Sequence, residues 1–243
     1  MQEADHINDV IDTLHALIDK SIKDESRVGY FICLYGKVTM AVRDAIDAKM
    51  FHDNERMHKL DVIFANYFLK NVTHHNSVWY SFFQARHIKS YVVTQHLLLG
   101  MNAHINYDLA QALLDTKEAF TKEFHEDYLK INEILYQEVD AIQKKLYKTS
   151  LLLRLIDIIG LRFDEAYVDF SMIKARDEAW ENALLLSKMD ETQKKTHLEN
   201  MQKRTLKFAI MIIKPPFLYK IFLFFNKICE KSSIRFNLLA LRP

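Results

Sequence analysis

The chain contains few residues that interrupt regular secondary structure. Among its 243 residues are four glycines and three prolines, and two of the prolines, Pro215 and Pro216, are adjacent. Because sheets of short strands need turn residues at short intervals, this scarcity excludes a strand-rich fold. We predict an all-α fold, a single bundle-like domain of about eight helices joined by short polar connections.

Cysteines and long apolar runs are also scarce. The two cysteines, Cys33 and Cys229, are far apart and form no Cys-x-x-Cys pair, which argues against a disulfide framework and a cysteine zinc site. The sequence has no run of about eighteen apolar residues, the length that spans a bilayer. The acidic start MQEADHINDV differs from a secretion signal. We therefore predict a cytoplasmic protein.

Several catalytic motifs are missing. The chain has no Gly-x-Ser-x-Gly, no glycine-rich phosphate loop, no His-Glu-x-x-His and no aspartate-rich DDxxD-type run. Glu55 and His58 have the Glu-x-x-His spacing of di-iron bundles, but the second copy that such a site needs is absent. The common nucleophile, phosphate-loop and di-iron chemistries are therefore disfavoured.

Apolar residues recur at helical spacing along most of the chain. This periodicity predicts helices over about 5–23, 28–51, 54–69, 77–114, 117–148, 151–159, 164–189 and 192–213. Asp5 is the expected cap of the first helix, and Gly160 the expected end of the sixth. Asn102 or Asn106 could cap a new helix within the fourth.

Positive charge is concentrated near the C-terminal end. The whole chain has a net charge of +1, but residues 203–243 contain nine Lys or Arg and one acid, Glu230. We divide the chain into an all-helical domain, 1–202, and a basic, aromatic C-terminal extension, 203–243. A basic amphipathic segment is typical of helices that lie on anionic membranes, so we predict that contact for residues 203–236. The alternative is a last helix packed on the domain, and nucleic acid is not an expected partner.

The segment 91–114, YVVTQHLLLGMNAHINYDLAQALL, is the longest apolar run in the first two hundred residues. It nevertheless contains polar residues, which are costly in apolar surroundings unless each finds a partner. In one continuous helix His96, Gly100, His104 and Asp108 would share a face. The missing side chain of Gly100 would leave room on that face, either for a ligand or for a neighbouring helix.

The same face suggests a divalent metal site. A His and an Asp one turn apart can reach one ion, so His104 and Asp108 are the predicted ligands. His96 is about 12 Å from His104 along a helix and would act as a general acid or base. Asp61, within an aromatic-rich helix, would be a further ligand or the general base.

Other residues are candidates for substrate binding. Arg43 and Arg176 lie in apolar helices and could hold an anionic group, although structural ion pairing is the common alternative. Trp180 could stack on Arg176 or on a ligand, or belong to the core. Asn102 and Asn106 are the amide candidates. The run His125-Glu126-Asp127 is interpreted as solvated and is assigned no role.

Two functional hypotheses follow from these residues. The first is a metal-dependent enzyme, a hydrolase or lyase that acts on a small anionic or lipid-like substrate at the 96–108 segment. The second is a non-catalytic helical protein that binds an apolar, isoprenoid-like ligand and lies at the periphery of a membrane.

Three segments carry a resemblance to a known family. LLLGMNAHINYDLAQAL (97–113), LDVIFANYF (60–68) and RDEAWENALLL (176–186) together resemble a bacterial and fungal family of helical proteins, domain-of-unknown-function family 5995. The word Asn-Ala-His-Ile-Asn-x-Asp-Leu is its most specific part. The resemblance covers most of residues 28–190 and implies an all-helical domain without an established activity, and the basic tail lies beyond it.

Overall fold

The computed structural model describes residues 3–149, 172–217, 220, 223–224, 227 and 233–243. All regular secondary structure within these residues is helical, which confirms the predicted all-α class. The helices are α1 (Ile7–Lys23), α2 (Gly29–Asp47), α3 (Asn54–Thr73), α4 (Ser77–Ala85), α5 (Val93–Ala103), a π-helical turn (His104–Asp108), α6 (Leu109–Asp115), α7 (Lys122–Thr149), α8 (Met172–Leu186), α9 (Glu191–Ile213) and α10 (Ile234–Leu241).

The helix ends follow from local side-chain chemistry. The N-cap of α1 is His6, one residue after the predicted Asp5, because its ring Nδ1 accepts the backbone N–H of Asn8 at 3.2 Å. Asp53 caps α3 in the same way. Helix α9 ends at Ile213, one residue before Lys214 and the double proline, since a residue that precedes proline avoids the helical region.

The predicted helix over 77–114 is wrong as one continuous element. Helix α4 ends at Ala85, and α5 begins after Val92, whose backbone is extended. The side chain of Gln95 accepts the N–H of Val92 at 3.2 Å and fixes that start. Neither Asn102 nor Asn106 caps a helix, because the path from Val93 to Asp115 stays helical through the π turn. The predicted helix over 151–159, its Gly160 cap and residues 164–171 lie outside the described residues.

Two apolar clusters form the core. The first joins side chains of α1 to α5, α9 and α10, and the second joins those of α1, α2, α3, the π turn, α6, α7, α8 and α9. Met101, Tyr107 and Val38 pack against both clusters. The π turn and its flanking residues therefore lie where the two halves of the core meet.

The described parts of the C-terminal extension pack on the rest of the chain. The predicted boundary at 202/203 falls inside α9, which buries Met201, Thr205 and Ile212 on one face. Helix α10 contacts α1, α2 and α7, and its Leu238 is fully buried close to Gly29. No helix in the described part of the chain has the length and apolar character needed to cross a membrane.

Candidate functional site

A mostly apolar cavity of about 70 Å³ lies between α2, α3, the π-turn region, α7 and α8. Five of the residues that line it carry polar groups, namely Tyr35, Asp61, His104, Tyr128 and Arg176. A water molecule needs roughly 10–15 Å³ measured in this way, so the cavity has room for about five water-sized groups. It therefore fits a small molecule or a short chain.

His104 and Asp108, the two predicted metal ligands, contact each other. The His104 Nδ1 atom lies 3.4 Å from the Asp108 Oδ2 atom, and the Nε1–H of Trp79 donates to the same oxygen at 2.9 Å. Burial lowers the pKa of His104 well below its ordinary value. Burial also raises the pKa of Asp108 well above its ordinary value, although the bond from Trp79 opposes this shift. Both shifts favour the uncharged forms of the two side chains.

Aromatic rings hold the imidazole of His104 in place. The Phe64 ring is stacked on it with centroids 3.6 Å apart and an interplanar angle of 3°, and the Tyr35 ring meets it edge-on at 4.7 Å. The Nε2 atom of His104 is buried and has no hydrogen-bond partner among the described residues. A fixed, neutral imidazole with one open nitrogen thus lines the cavity.

The π turn begins at His104, and His96 lies in the α-helical segment before it. The N–H of Leu109 donates to the carbonyl of His104, five residues earlier, so one extra residue is inserted into the helical path. His96 lies outside the cavity lining, and its ring packs against Tyr30 and Tyr91. Burial, with Arg27 and Lys227 nearby, lowers the pKa of His96 to about 3. A cavity face common to His96 and His104 is therefore not formed.

Gly100 admits a neighbouring helix. A Cβ atom built on Gly100 would lie 2.4 Å from Cγ of Phe31, so the ring of Phe31, from α2, fills the space beside it. This is the second of the two alternatives predicted for this glycine. The cavity begins on the other side, at Phe31, Met101 and His104.

Asp61 lies within the cavity wall. Its carboxyl group is buried, and its Oδ2 atom has no hydrogen-bond partner among the described residues. Burial raises the pKa of Asp61 to about 7. Burial, and secondarily the charge of Asp61, raises the pKa of the Tyr35 hydroxyl well above its ordinary value. The carboxyl group of Asp61 is therefore half-protonated near neutral pH and faces an apolar space.

Arg176 is a buried cation without an acidic partner in the described chain. Its guanidinium group lies over the Tyr128 ring at 4.3 Å, its Nη2 donates to the Tyr128 carbonyl at 3.1 Å, and its Nε donates to Asn132 at 2.5 Å. The Nη1 nitrogen makes no hydrogen bond with any described residue. A buried guanidinium normally needs an anion, and this one lines the cavity.

Comparison with known proteins gives one match. A family model described as Family of unknown function (DUF5995) matches residues 7–215. The chain belongs to this family. No curated protein and no solved structure matches the chain. All nine predicted site residues fall within the DUF5995 region, and the residues after the first proline of the pair fall outside it.

Four predicted substrate-binding residues of the DUF5995 region lie away from the cavity. Arg43 is on the surface and pairs with Asp44, and Trp180 packs among the rings of Phe120, Phe124 and Tyr128, behind the cavity wall. Asn102 donates to the carbonyl of Thr205 in α9 and accepts the side-chain amide of Asn106. These positions are explained by structural contacts.

Sequence analysis missed the role of Asp127. Its carboxylate is fully buried, accepts the N–H groups of His52 and Asp53 and pairs with Arg56 at 2.8 Å. The interpretation of this run as solvated was therefore wrong for Asp127. The signal was present, because Asp127 lies three residues after Phe124 on the apolar face of α7.

The predicted metal site remains a prediction. Within the described residues, no group of three or more His, Cys, Asp or Glu is positioned to hold an ion. His104 and Asp108 already contact each other, and Trp79 occupies one carboxylate oxygen.

Proposed function

We propose that this chain binds a small amphipathic anion, such as a short-chain carboxylic acid, in the cavity beside His104. The observation that carries the proposal is Arg176, whose buried guanidinium lines an apolar cavity and has no acidic partner among the described residues. An anionic ligand would supply the missing charge, and guanidinium pairs well with a carboxylate.

The side chains that form the cavity walls indicate the chemistry of the part of the ligand beyond its anionic group. They are formed by aliphatic and aromatic side chains such as Leu34, Val38, Val42 and Ile131, which favour a hydrocarbon chain. The cavity has room for about five water-sized groups. That volume fits a short hydrocarbon chain better than a long isoprenoid. The proposed ligand is therefore apolar over most of its length, like the isoprenoid predicted from the sequence, but shorter.

Asp61 makes the proposed binding dependent on pH. Its carboxylate shares the cavity with the ligand, and its pKa is raised to about 7 by burial. Below that pH Asp61 is neutral and does not repel an anion, so affinity should rise as the pH falls from 8 to 6. In the Asp61→Asn variant the affinity should be high and independent of pH over this range.

Isothermal titration with butanoate, hexanoate and octanoate tests the proposal, with hexanol as the uncharged probe. Arg176→Gln should weaken hexanoate binding at least about tenfold, the effect of a lost charge-assisted hydrogen bond, while hexanol binding is retained. Arg43→Gln is the matched control and should bind like wild type. Because Arg176 also contacts Tyr128, Val38→Phe provides a second variant, which fills the cavity and should abolish binding of both probes.

Failure of wild type to bind any of the acids would overturn the proposal. Equal losses in Arg43→Gln and Arg176→Gln would also overturn it. The metal-dependent hydrolase or lyase predicted from His104 and Asp108 remains a separate hypothesis. Elemental analysis of wild type, His104→Ala and Asp108→Ala tests it directly. Peripheral association with a membrane is likewise a proposal, supported by the charge of the C-terminal extension.

A further inference from the structure

Helix α9 has a solvent-exposed face that combines cations with apolar side chains. Between Glu199 and Glu230 the chain has six Lys or Arg and no acid. Lys203, Lys207 and Lys214 are exposed on α9 or directly after it and make no ion pair with any described residue. Ile210 and Met211 lie between them, with exposed fractions of 59% and 49%.

The spacing places these five residues on one side of the helix. At 3.6 residues per turn, positions 203, 207, 210, 211 and 214 fall within an arc of about 100°. The opposite side holds the buried residues Met201, Thr205, Ala209 and Ile212. Helix α9 thus uses one face to join the domain and presents a second amphipathic face to solvent.

Phe217 is a further exposed apolar residue, directly after the double proline. It is 74% exposed, the largest exposed fraction among the large apolar side chains of the described chain. An aromatic ring in this position is costly in water and favourable at a lipid interface.

We propose that the face formed by Lys203, Lys207, Ile210, Met211 and Lys214, here called the α9 face, docks together with the adjacent Phe217 on an anionic lipid bilayer, an inference that rests on the membrane association proposed above. The cations complement acidic headgroups, and the apolar side chains between them insert at the level of the acyl chains. A polyanion such as nucleic acid would use the lysines but gain little from Ile210, Met211 and Phe217. The combination therefore favours a membrane.

Co-sedimentation of the full chain with vesicles tests the proposal. Wild type should bind vesicles of phosphatidylcholine mixed with phosphatidylserine, and binding to phosphatidylcholine alone should be far weaker. The variant Lys203→Gln/Lys207→Gln/Lys214→Gln should lower the partition coefficient about a hundredfold, since each cation near an anionic surface contributes about fivefold. Ile210→Ser/Met211→Ser/Phe217→Ser should lower it at least about tenfold.

The matched control removes the same charge elsewhere. Lys20→Gln/Lys23→Gln/Lys49→Gln changes three exposed lysines outside the α9 face and should reduce binding by less than about threefold. Equal losses in the two lysine variants would overturn the proposal, as would no binding by wild type. A loss in the lysine variant without a loss in the apolar variant would show that Ile210, Met211 and Phe217 do not enter the bilayer and would also overturn it. Circular dichroism confirms that each variant is folded.

Discussion

The indole of Trp79 in α4 donates a hydrogen bond of 2.9 Å to the Oδ2 atom of Asp108 in the π-helical turn. Both residues are fully buried. The bond joins two residues 29 positions apart in the chain. Among the described residues it is the shorter of the two hydrogen-bond contacts to the carboxyl group of Asp108, the other being the 3.4 Å contact with His104. It therefore links Trp79 of the first core cluster to the residue that contacts His104 in the cavity wall.

Replacing Trp79, the donor of this bond, should lower the free energy of unfolding. Trp79→Phe keeps an aromatic ring but leaves Asp108 with the long His104 contact, so we expect about 1–3 kcal/mol of destabilisation from the lost bond. Trp180→Phe is the matched control, because Trp180 is also buried and its ring nitrogen makes no hydrogen bond with the described residues. Urea unfolding should show a larger cost for Trp79→Phe, and equal costs would show that the bond contributes nothing.

Gly100 allows a second test of packing around the site. In Gly100→Ala the new Cβ would lie 2.4 Å from Cγ and 2.9 Å from Cβ of Phe31. The Cβ atom of Phe31 moves only with the backbone of α2, and rotation about χ1 would move its ring out of a packed core. Overpacking typically costs about 1–3 kcal/mol, which exceeds the roughly 1 kcal/mol gained in helix propensity. We expect net destabilisation in thermal unfolding.

Gly36 in α2 provides the comparison for this change. A Cβ there would meet Ile18 and Pro243 at 3.5 Å, an ordinary contact distance. Gly36→Ala should therefore raise the free energy of unfolding by about 0.5–1 kcal/mol. Stabilisation of both variants would contradict the close approach of Phe31 to α5.

Prediction from the sequence succeeded for structural features that depend on one helix alone. The buried stripe of α1, the start of α3 at Asn54 and the end of α9 before Pro215 were predicted from spacing and local chemistry. The interruption between α4 and α5 was missed, because residues 86–92 contain neither glycine nor proline. The π turn was missed because the apolar spacing on both sides continues to fit an ordinary helix.

The site depends on contacts between helices, which periodicity does not report. His104, Asp61 and Arg176 were chosen as polar residues within apolar segments, and the structure places all three on one cavity. The same criterion also selected His96, which lies outside that cavity. The contacts that define the surroundings of these residues come from other helices. Trp79 of α4 donates to Asp108, and the carbonyl of Tyr128 in α7 accepts from Arg176.

Asp61 should make stability depend on pH. Its folded pKa of about 7 lies above the ordinary value of 3.8, so folding favours the protonated form. Its contribution to stability is complete below pH 3.8 and is lost as the pH rises to about 7. The loss is at most about 4 kcal/mol, since one unit of pKa corresponds to about 1.4 kcal/mol.

The difference between wild type and Asp61→Asn isolates this effect from other titrating groups. Urea unfolding at pH 5 and at pH 8 should show that wild type loses more stability than Asp61→Asn over this range. Asp12→Asn, at an exposed position of α1, should follow wild type. Parallel curves for wild type and Asp61→Asn would show that Asp61 is ionised in the folded protein at pH 5.

Asp127 should be the acidic residue on which the fold depends most. Its carboxylate accepts two backbone N–H groups and the guanidinium of Arg56, whose side chain is 11% exposed. Asp127→Asn removes the charge and leaves Arg56 without its partner, so we expect about 3 kcal/mol of destabilisation. In contrast, Lys59 and Glu118 pair at the surface with exposed fractions of 47% and 37%, and Glu118→Gln should cost less than about 1 kcal/mol. Similar losses in chemical denaturation for the two variants would show that the buried position of Asp127 adds nothing to its ion pair.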